Sequence, residues 1–181
     1  MQAWVGCWAC YNEGFLVGAW FDLPDQTPSI ELVHQLGVDH GDHRDDLELH
    51  EEIGVFDLDG DLGHFSDAIG ESVVTAVEVA RVLDDMEPDQ RAVFAAYVKA
   101  VGEPASAELA AQCEGNYIGA FASVRAFGME HGADLLGWHE LPGHVQEVLD
   151  PYIDWEEVGE NDLLDYESAR IGRTLHVWHL E

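Results

Sequence analysis

Val5-Gly6-Cys7-Trp8-Ala9-Cys10-Tyr11-Asn12-Glu13-Gly14, then Gly18-Ala19-Trp20-Phe21-Asp22-Leu23, sets two β-rich runs on either side of a turn signal. Branched and aromatic residues fit a pleated, half-buried surface, so residues 3–9 predict one strand and Phe15–Leu23 a second. Asn12-Glu13-Gly14 turns the chain between them into a hairpin. Ile53–Leu58 returns as a third strand, closed by Asp59-Gly60. At the other end, Arg173–Leu180 alternates and reads as a strand, and Ser168–Ile171 pairs with it across Gly172. Between these regions the pattern is helical. Thr27 caps a short helix with Pro28 at its first position, Gly37 as its stop and Ile30, Leu32, Val33 and Leu36 on its apolar side. Ser66 opens a helix carried by Val73, Val74, Val77, Val79, Ala80, Val82 and Leu83 to Met86, where Glu87-Pro88 breaks it. Asp89 caps the next helix, which runs to Gly102. Pro104–Cys113, Ser123–His131 and Leu141–Leu149 supply three more. The fold class is α+β, with a β-rich start, a helical middle and an α+β end.

Thirty-seven of the 181 residues are Asp or Glu and seven are Lys or Arg, for a formal charge of −30. A small soluble domain needs a net charge of only about 2–8, and each further like charge adds self-repulsion. Duplex DNA carries one phosphate per ~1.7 Å, so thirty charges match ~50 Å of duplex. A compact chain of this length is roughly 40 Å across. The charge per unit length is therefore DNA-like. It is also spread: residues 1–65 net −13, residues 66–113 net −6 and residues 114–181 net −11. With 47% apolar and 10% aromatic residues, the chain is not a disordered acidic tail. The shortage of Lys and Arg argues against direct nucleic-acid binding, which needs cations to release counterions. A basic protein groove is the natural partner. No run of 18 apolar residues offers a membrane span. The start, Met1-Gln2-Ala3-Trp4, lacks the basic and apolar regions of a signal peptide. Three cysteines fit a reducing, cytoplasmic setting.

Motifs for chemistry are weak. Cys7-Trp-Ala-Cys10 is a CxxC pair, but zinc would need a second pair and only Cys113 remains. In or beside a strand, positions three apart face opposite sides, so both read as ordinary cysteines. Asp57-Leu-Asp59-Gly60-Asp61 fails as a calcium loop, because glycine falls at position 4 and Ala68 at position 12. His34, His40, His43, His50 and His64 lie among acids without a HExxH spacing, and read as partial neutralisation of a crowded acidic surface. No phosphate-cradling loop or nucleophile elbow occurs, so no catalytic residue, metal or cofactor is expected. Composition alone leaves DNA mimicry and halophilic adaptation open. A metal-dependent hydrolase built on the His/Asp-rich stretch 39–64 is an alternative from another class.

The order of motifs separates these readings. The opening quoted above resembles the ArdA antirestriction family, with its Val-Gly strand, Tyr-Asn-x-Gly turn and Gly-x-Trp-x-Asp-Leu strand. Phe56-Asp57-Leu58-Asp59-Gly60 is similar to the family's Asp-Tyr-Glu-Gly segment. Leu141-Pro142 through Tyr152-Ile153-Asp154-Trp155-Glu156-Glu157, with Asp162-Leu163 after it, is similar to the family's Pro-Glu and Asp-Tyr-Glu-Ala-Tyr segments. Residues 116–121, Asn-Tyr-Ile-Gly-Ala-Phe, and the Val-rich helix of 71–83 depart from the family pattern.

The resemblance implies an inhibitor of type I restriction-modification enzymes that imitates DNA and occupies their basic groove, not an enzyme. It implies three small domains in a row, 1–65, 66–113 and 114–181, in an elongated, acidic homodimer. Trp155, Tyr166, Val177 and Trp178 would give the C-terminal part an apolar pairing surface. The shared antirestriction segment falls at His131–Val158, with Asp134, Glu140, Glu147, Asp150, Asp154, Glu156 and Glu157. The DNA-mimicking acids expected with them are Glu160, Asp162 and Asp165, and, in the N-terminal part, Asp39, Asp42, Asp45, Asp46, Glu48, Glu51, Glu52, Asp57, Asp59 and Asp61.

Overall fold

The computed structural model describes residues 1–37 and 50–180. The chain divides into two compact units, one of Met1–Ala95 with Pro104–Ala107, the other of Ala96–Glu103 with Glu108–Glu181. Each is a small antiparallel sheet covered by helices, and the class is α+β.

In the first unit β1 (Gln2–Cys7) lies between β2 (Gly18–Asp22) and β3 (Ile53–Asp59). Gln2 faces Asp22 and Asp59, and Trp4 faces Trp20 and Asp57, so the expected hairpin and third strand form. Ala3, Val5 and Cys7 point into the core. The expected strand through residue 9 is corrected, because it stops at Cys7 and a single helical turn follows, α1 (Trp8–Asn12). Tertiary ties override the β-propensity of Trp8 and Tyr11: Cys7 N donates to Val17 O (3.0 Å) and Trp8 N to Glu52 O (3.1 Å). The helical turn brings both Cys7 and Cys10 inward, where a strand would have put them on opposite faces.

Helix α2 (Ile30–Leu36) is capped by Ser29, not Thr27, with Ser29 Oγ accepting from Leu32 N at 3.3 Å. It packs on β1 and β2. Its inward residues are Val33 and His34, while Leu32 and Leu36, expected on the apolar side, are exposed. After a 3-10 turn over Gly60–Phe65, the expected helix from Ser66 to Met86 is two helices. α3 (Ser66–Ile69) ends at Gly70, whose φ of 54° suits glycine alone at little cost. Ser72 then caps α4 (Val73–Asp84), its Oγ accepting from Thr75 N at 3.2 Å. α4 packs against β3 through Ala76, Val77, Val79, Ala80 and Leu83, and leaves Val74 exposed. α5 (Pro88–Val101) starts at Pro88 itself, so Asp89 sits in its first turn and not at its cap. The boundary between the units falls inside this helix.

The second unit holds α6 (Ala107–Gly115) and the sheet β4 (Tyr117–Phe121), β6 (Thr174–His179), β5 (Tyr166–Ile171), with β6 central. The β5–β6 hairpin matches expectation, with Ser168 opposite Val177 and Ile171 opposite Thr174. β4 was not expected; it covers the low-charge segment that departed from the family pattern. Ser123 caps α7 (Val124–Phe127), which widens over Gly128–Gly132 and continues as α8 (Ala133–Leu135). α9 (Gly143–Leu149) and α10 (Trp155–Asp162) follow. α7 and α10 cross in close contact, because a Cβ on Gly128 would strike Trp155 O and one on Gly159 would strike Val124 O. Phe121, Phe127, Leu175 and Val177 form the core beneath them. Trp155, Val177 and Trp178, expected on a pairing surface, are 1%, 0% and 0% exposed and belong to this interior; Tyr166 is half-buried.

Candidate partner-binding surface

Fifteen of the twenty expected acids lie among the described residues; Asp39, Asp42, Asp45, Asp46 and Glu48 lie outside them. On the first sheet the pleat decides which side chains face out. Opposed residues share a face, so one row reads Asp22, Gln2, Asp59 and the next Trp20, Trp4, Asp57. Gln2 Nε2 donates to Asp22 Oδ1 at 2.7 Å. Asp22, Asp57 and Asp59 are all exposed, as are Glu51 and Glu52 before the strand. Asp61 is turned inward to Arg91, with its Oδ2 accepting from Nη1 at 2.8 Å. That pair also removes it from the calcium-loop geometry its sequence hinted at.

In the second unit several acids serve the fold. Asp154 caps α10 by accepting from Glu156 N (3.1 Å) and Glu157 N (3.2 Å), satisfying two amides that no helical carbonyl reaches. Asp150 accepts from Trp155 Nε1 at 2.8 Å and holds that buried ring. Asp162, with only 7% of its side chain exposed, meets His131 Nδ1 at 2.9 Å. Asp134 lies 3.4 Å from His139 in an exposed pair. Glu140, Glu147, Glu156, Glu157, Glu160 and Asp165 are exposed. Glu156 and Glu160 stand one helical turn apart on α10, whose last turn carries no basic residue. Like charges at that spacing weaken a helix by about 0.2–0.5 kcal/mol. The helix tolerates a repulsion that a stability-optimised surface would have relieved with lysine.

Some exposed acids lie outside the expected set. Asp84, Asp85, Glu87 and Asp89 cluster at the α4–α5 corner, all exposed. Their density is visible in the sequence, but they follow the Val-rich helix that departs from the family pattern, so the resemblance does not single them out. Asp22 enters the sequence reading only as part of a motif.

The histidines divide. His64 is exposed, while His40 and His43 lie outside the described residues. His34 and His50 are buried, 8% and 5% exposed, against Cys7 and Cys10 at 1% and 0%. The reading of these histidines as surface neutralisers, and of the two cysteines as unrelated, is corrected: their ligand atoms all lie within 4.8 Å of one another. The expectation of no metal rested on the lack of a second cysteine pair and of a HExxH spacing, and it left out two histidines from distant positions as the other two ligands. Cys113 stands apart from the cluster: it is buried, and burial pushes its thiol up to about 11.

The fold and surface define a small α+β protein that turns unneutralised carboxylates outward from both units. A family model for antirestriction protein (ArdA) matches residues 3–173, and the chain belongs to that family. No curated protein matches the chain.

Proposed function

We propose that this protein mimics DNA and inhibits type I restriction-modification enzymes by occupying their basic DNA-binding groove. The observation that carries the reading is the match to the antirestriction family over residues 3–173 in a chain of net charge −30. Exposed carboxylates stand in for phosphates, pair with the enzyme's Lys and Arg, and release the counterions that DNA would release. The contact set comprises the exposed acids of both units together with Asp39, Asp42, Asp45, Asp46 and Glu48. Acids already engaged in hydrogen bonds within the fold, Asp61, Asp150, Asp154 and Asp162, contribute field more than direct contact. No catalytic residue is needed, because inhibition is competitive occupation.

The hydrolase alternative loses support where His34 and His50 converge on cysteines, and exposed His64 joins no metal-ligating cluster among the described residues. The working layout is three parts, 1–65, 66–113 and 114–181, in a cytoplasmic homodimer. Among the described residues no helix is long and apolar enough to cross a membrane. Since Trp155, Val177 and Trp178 are internal, pairing falls to exposed apolar side chains of the same region, including Leu135, Leu136, Val148, Tyr152 and Leu164.

The test is titration of the purified protein against a type I enzyme on unmethylated DNA. Enzyme–DNA binding and cleavage should both fall, with saturation. Full DNA binding by every type I enzyme tried at micromolar protein would overturn the reading. Sedimentation should show a dimer, and Tyr152→Glu or Leu164→Glu should shift it toward monomer.

A further inference from the structure

We propose that Cys7, Cys10, His34 and His50 form a four-ligand site, two thiolates and two imidazoles, for one structural zinc ion. Four residues from three separate places in the chain converge here: the end of β1 with α1, the middle of α2, and the residue three before β3. Cys7 Sγ and Cys10 Sγ each lie 3.3 Å from His50 Nδ1, His34 Nε2 lies 3.3 Å from the same nitrogen, and Cys10 Sγ lies 4.0 Å from His34 Nε2. A tetrahedral zinc ion with Zn–S of ~2.3 Å and Zn–N of ~2.0–2.1 Å sets ligand-to-ligand edges of roughly 3.3–3.8 Å. These four separations, 3.3–4.0 Å, are close to the edges of that polyhedron, and all four ligand atoms lie within 4.8 Å of one another.

Hydrogen bonding does not account for the cluster. One imidazole nitrogen carries one N–H or one lone pair, so His50 Nδ1 serves one partner at a time. It faces three at equal distance. A cation at the centre of the four takes a lone pair from each donor atom at once. The donor set selects the ion: thiolate and imidazole suit zinc and exclude calcium and magnesium, which take oxygen ligands. Four protein ligands in a buried site leave no open position for water or substrate, which marks the ion as structural.

The placement gives the ion a task. His34 and His50 lie on either side of the acid-rich run Asp39–Glu48 in sequence. A metal clip between them removes loop-closure entropy from the unfolded chain, and ties His34 and His50 themselves to β1 and α1. Two thiolates and a divalent cation sum to zero charge, so the clip adds nothing to the net −30.

The experiment is metal analysis of the full chain purified without chelator, followed by cobalt substitution. Zinc should be present at about one ion per chain and be released when a mercurial blocks the thiols. The cobalt form should show thiolate-to-metal charge transfer and the intense ligand-field bands of a tetrahedral centre with two sulfur and two nitrogen ligands. Cys10→Ser and His50→Ala should each lose the ion, while Cys113→Ser keeps it. His34→Cys, which preserves four ligands, should still bind cobalt with a spectrum moved toward that of three sulfurs and one nitrogen, and it keeps the test decisive if the other variants fail to fold. Chelation should lower the thermal midpoint and added zinc restore it. The proposal is overturned if the protein holds no zinc and takes up neither zinc nor cobalt stoichiometrically. It is equally overturned if Cys7 and Cys10 are found joined as a disulfide, or if Cys113→Ser alone abolishes binding.

Discussion

Asp162 and Glu160 sit two residues apart on one helix, yet the structure gives them opposite energetic signs. Asp162 is nearly enclosed and bonded to His131 Nδ1, whose ring stacks on Phe127 with centroids 5.0 Å apart. A hydrogen bond involving a charged group contributes about 1.5–3 kcal/mol, and breaking a fully buried pair costs about 3–5 kcal/mol. The His131 side chain is 26% exposed, so the lower range applies, and Asp162→Ala should cost about 1.5–3 kcal/mol. With a urea m-value near 2 kcal/mol/M, that moves the unfolding midpoint down by roughly 1 M. Glu160→Gln removes the repulsion with Glu156 and should raise stability by about 0.2–0.5 kcal/mol. The triple change Glu156→Gln, Glu157→Gln, Glu160→Gln should stay within about 1 kcal/mol of the parent, because losing the two favourable first-turn charges offsets the relief. Urea unfolding followed by tryptophan fluorescence measures all three. Function should run the other way: well below the unfolding transition Asp162→Ala still inhibits the restriction enzyme, while the triple variant inhibits less. If Asp162→Ala leaves the midpoint unmoved, or abolishes inhibition while folded, the division into fold-serving and partner-reading acids is wrong.

Gly128→Ala should destabilise the C-terminal unit by about 1–3 kcal/mol, since its Cβ meets backbone at Trp155 and Gly159 that cannot rotate away; calorimetry checks it. Inhibition should weaken steeply and log-linearly with salt, and a flat salt response would count against charge mimicry. His176 shares a 2.8 Å hydrogen bond with Tyr117 Oη, and burial holds its pKa below the usual imidazole value. A depressed pKa gives stability that is complete above ~6.5 and lost as pH falls below it toward the folded value. His176→Gln should therefore lose less stability than the parent between about pH 7 and pH 5 in matched denaturation curves.

At the end of the chain, Arg173–Leu180, the sequence led directly to the strand and its partner, although Leu175–Trp178 are buried at consecutive positions and not in alternation. Three failures have physical causes. α1 is five residues long and made of β-formers, and only the remote ties to Val17 and Glu52 curl it into a helix. β4 is short and interrupted by Gly119, so its period is too weak to see. Trp155–Asp162 reads as an acid-rich motif, and its helical character emerges from the Asp154 cap and the glycine contact with α7. The acids were legible as a total but not one by one. Nothing local distinguishes Asp162, held inside, from Asp165, three residues on and exposed. The cysteine–histidine cluster was hidden because its ligands stand at 7, 10, 34 and 50, with no fixed spacing between the pairs.

That cluster bears on how such a charge is carried at all. Thirty uncompensated charges oppose compaction, and among the described residues each unit has one three-stranded sheet with helices packed on it to resist them. A small core of this kind yields a few kcal/mol at best, and natural domains of similar economy add a staple. The C-terminal unit finds cohesion in close packing, where two glycines let α7 and α10 touch backbone to backbone over Phe127 and Trp155. The N-terminal unit has no equivalent crossing among the described residues. It places four metal-ligating side chains at the junction of β1, α1 and α2, next in sequence to the acid-rich run Asp39–Glu48. Stripping zinc and neutralising acids should therefore act in opposite directions on that unit. A variant with Glu51, Glu52, Asp57 and Asp59 changed to amides should tolerate chelation better than the parent. Equal loss of thermal midpoint on chelation in the two proteins would show that the clip and the charge are unconnected.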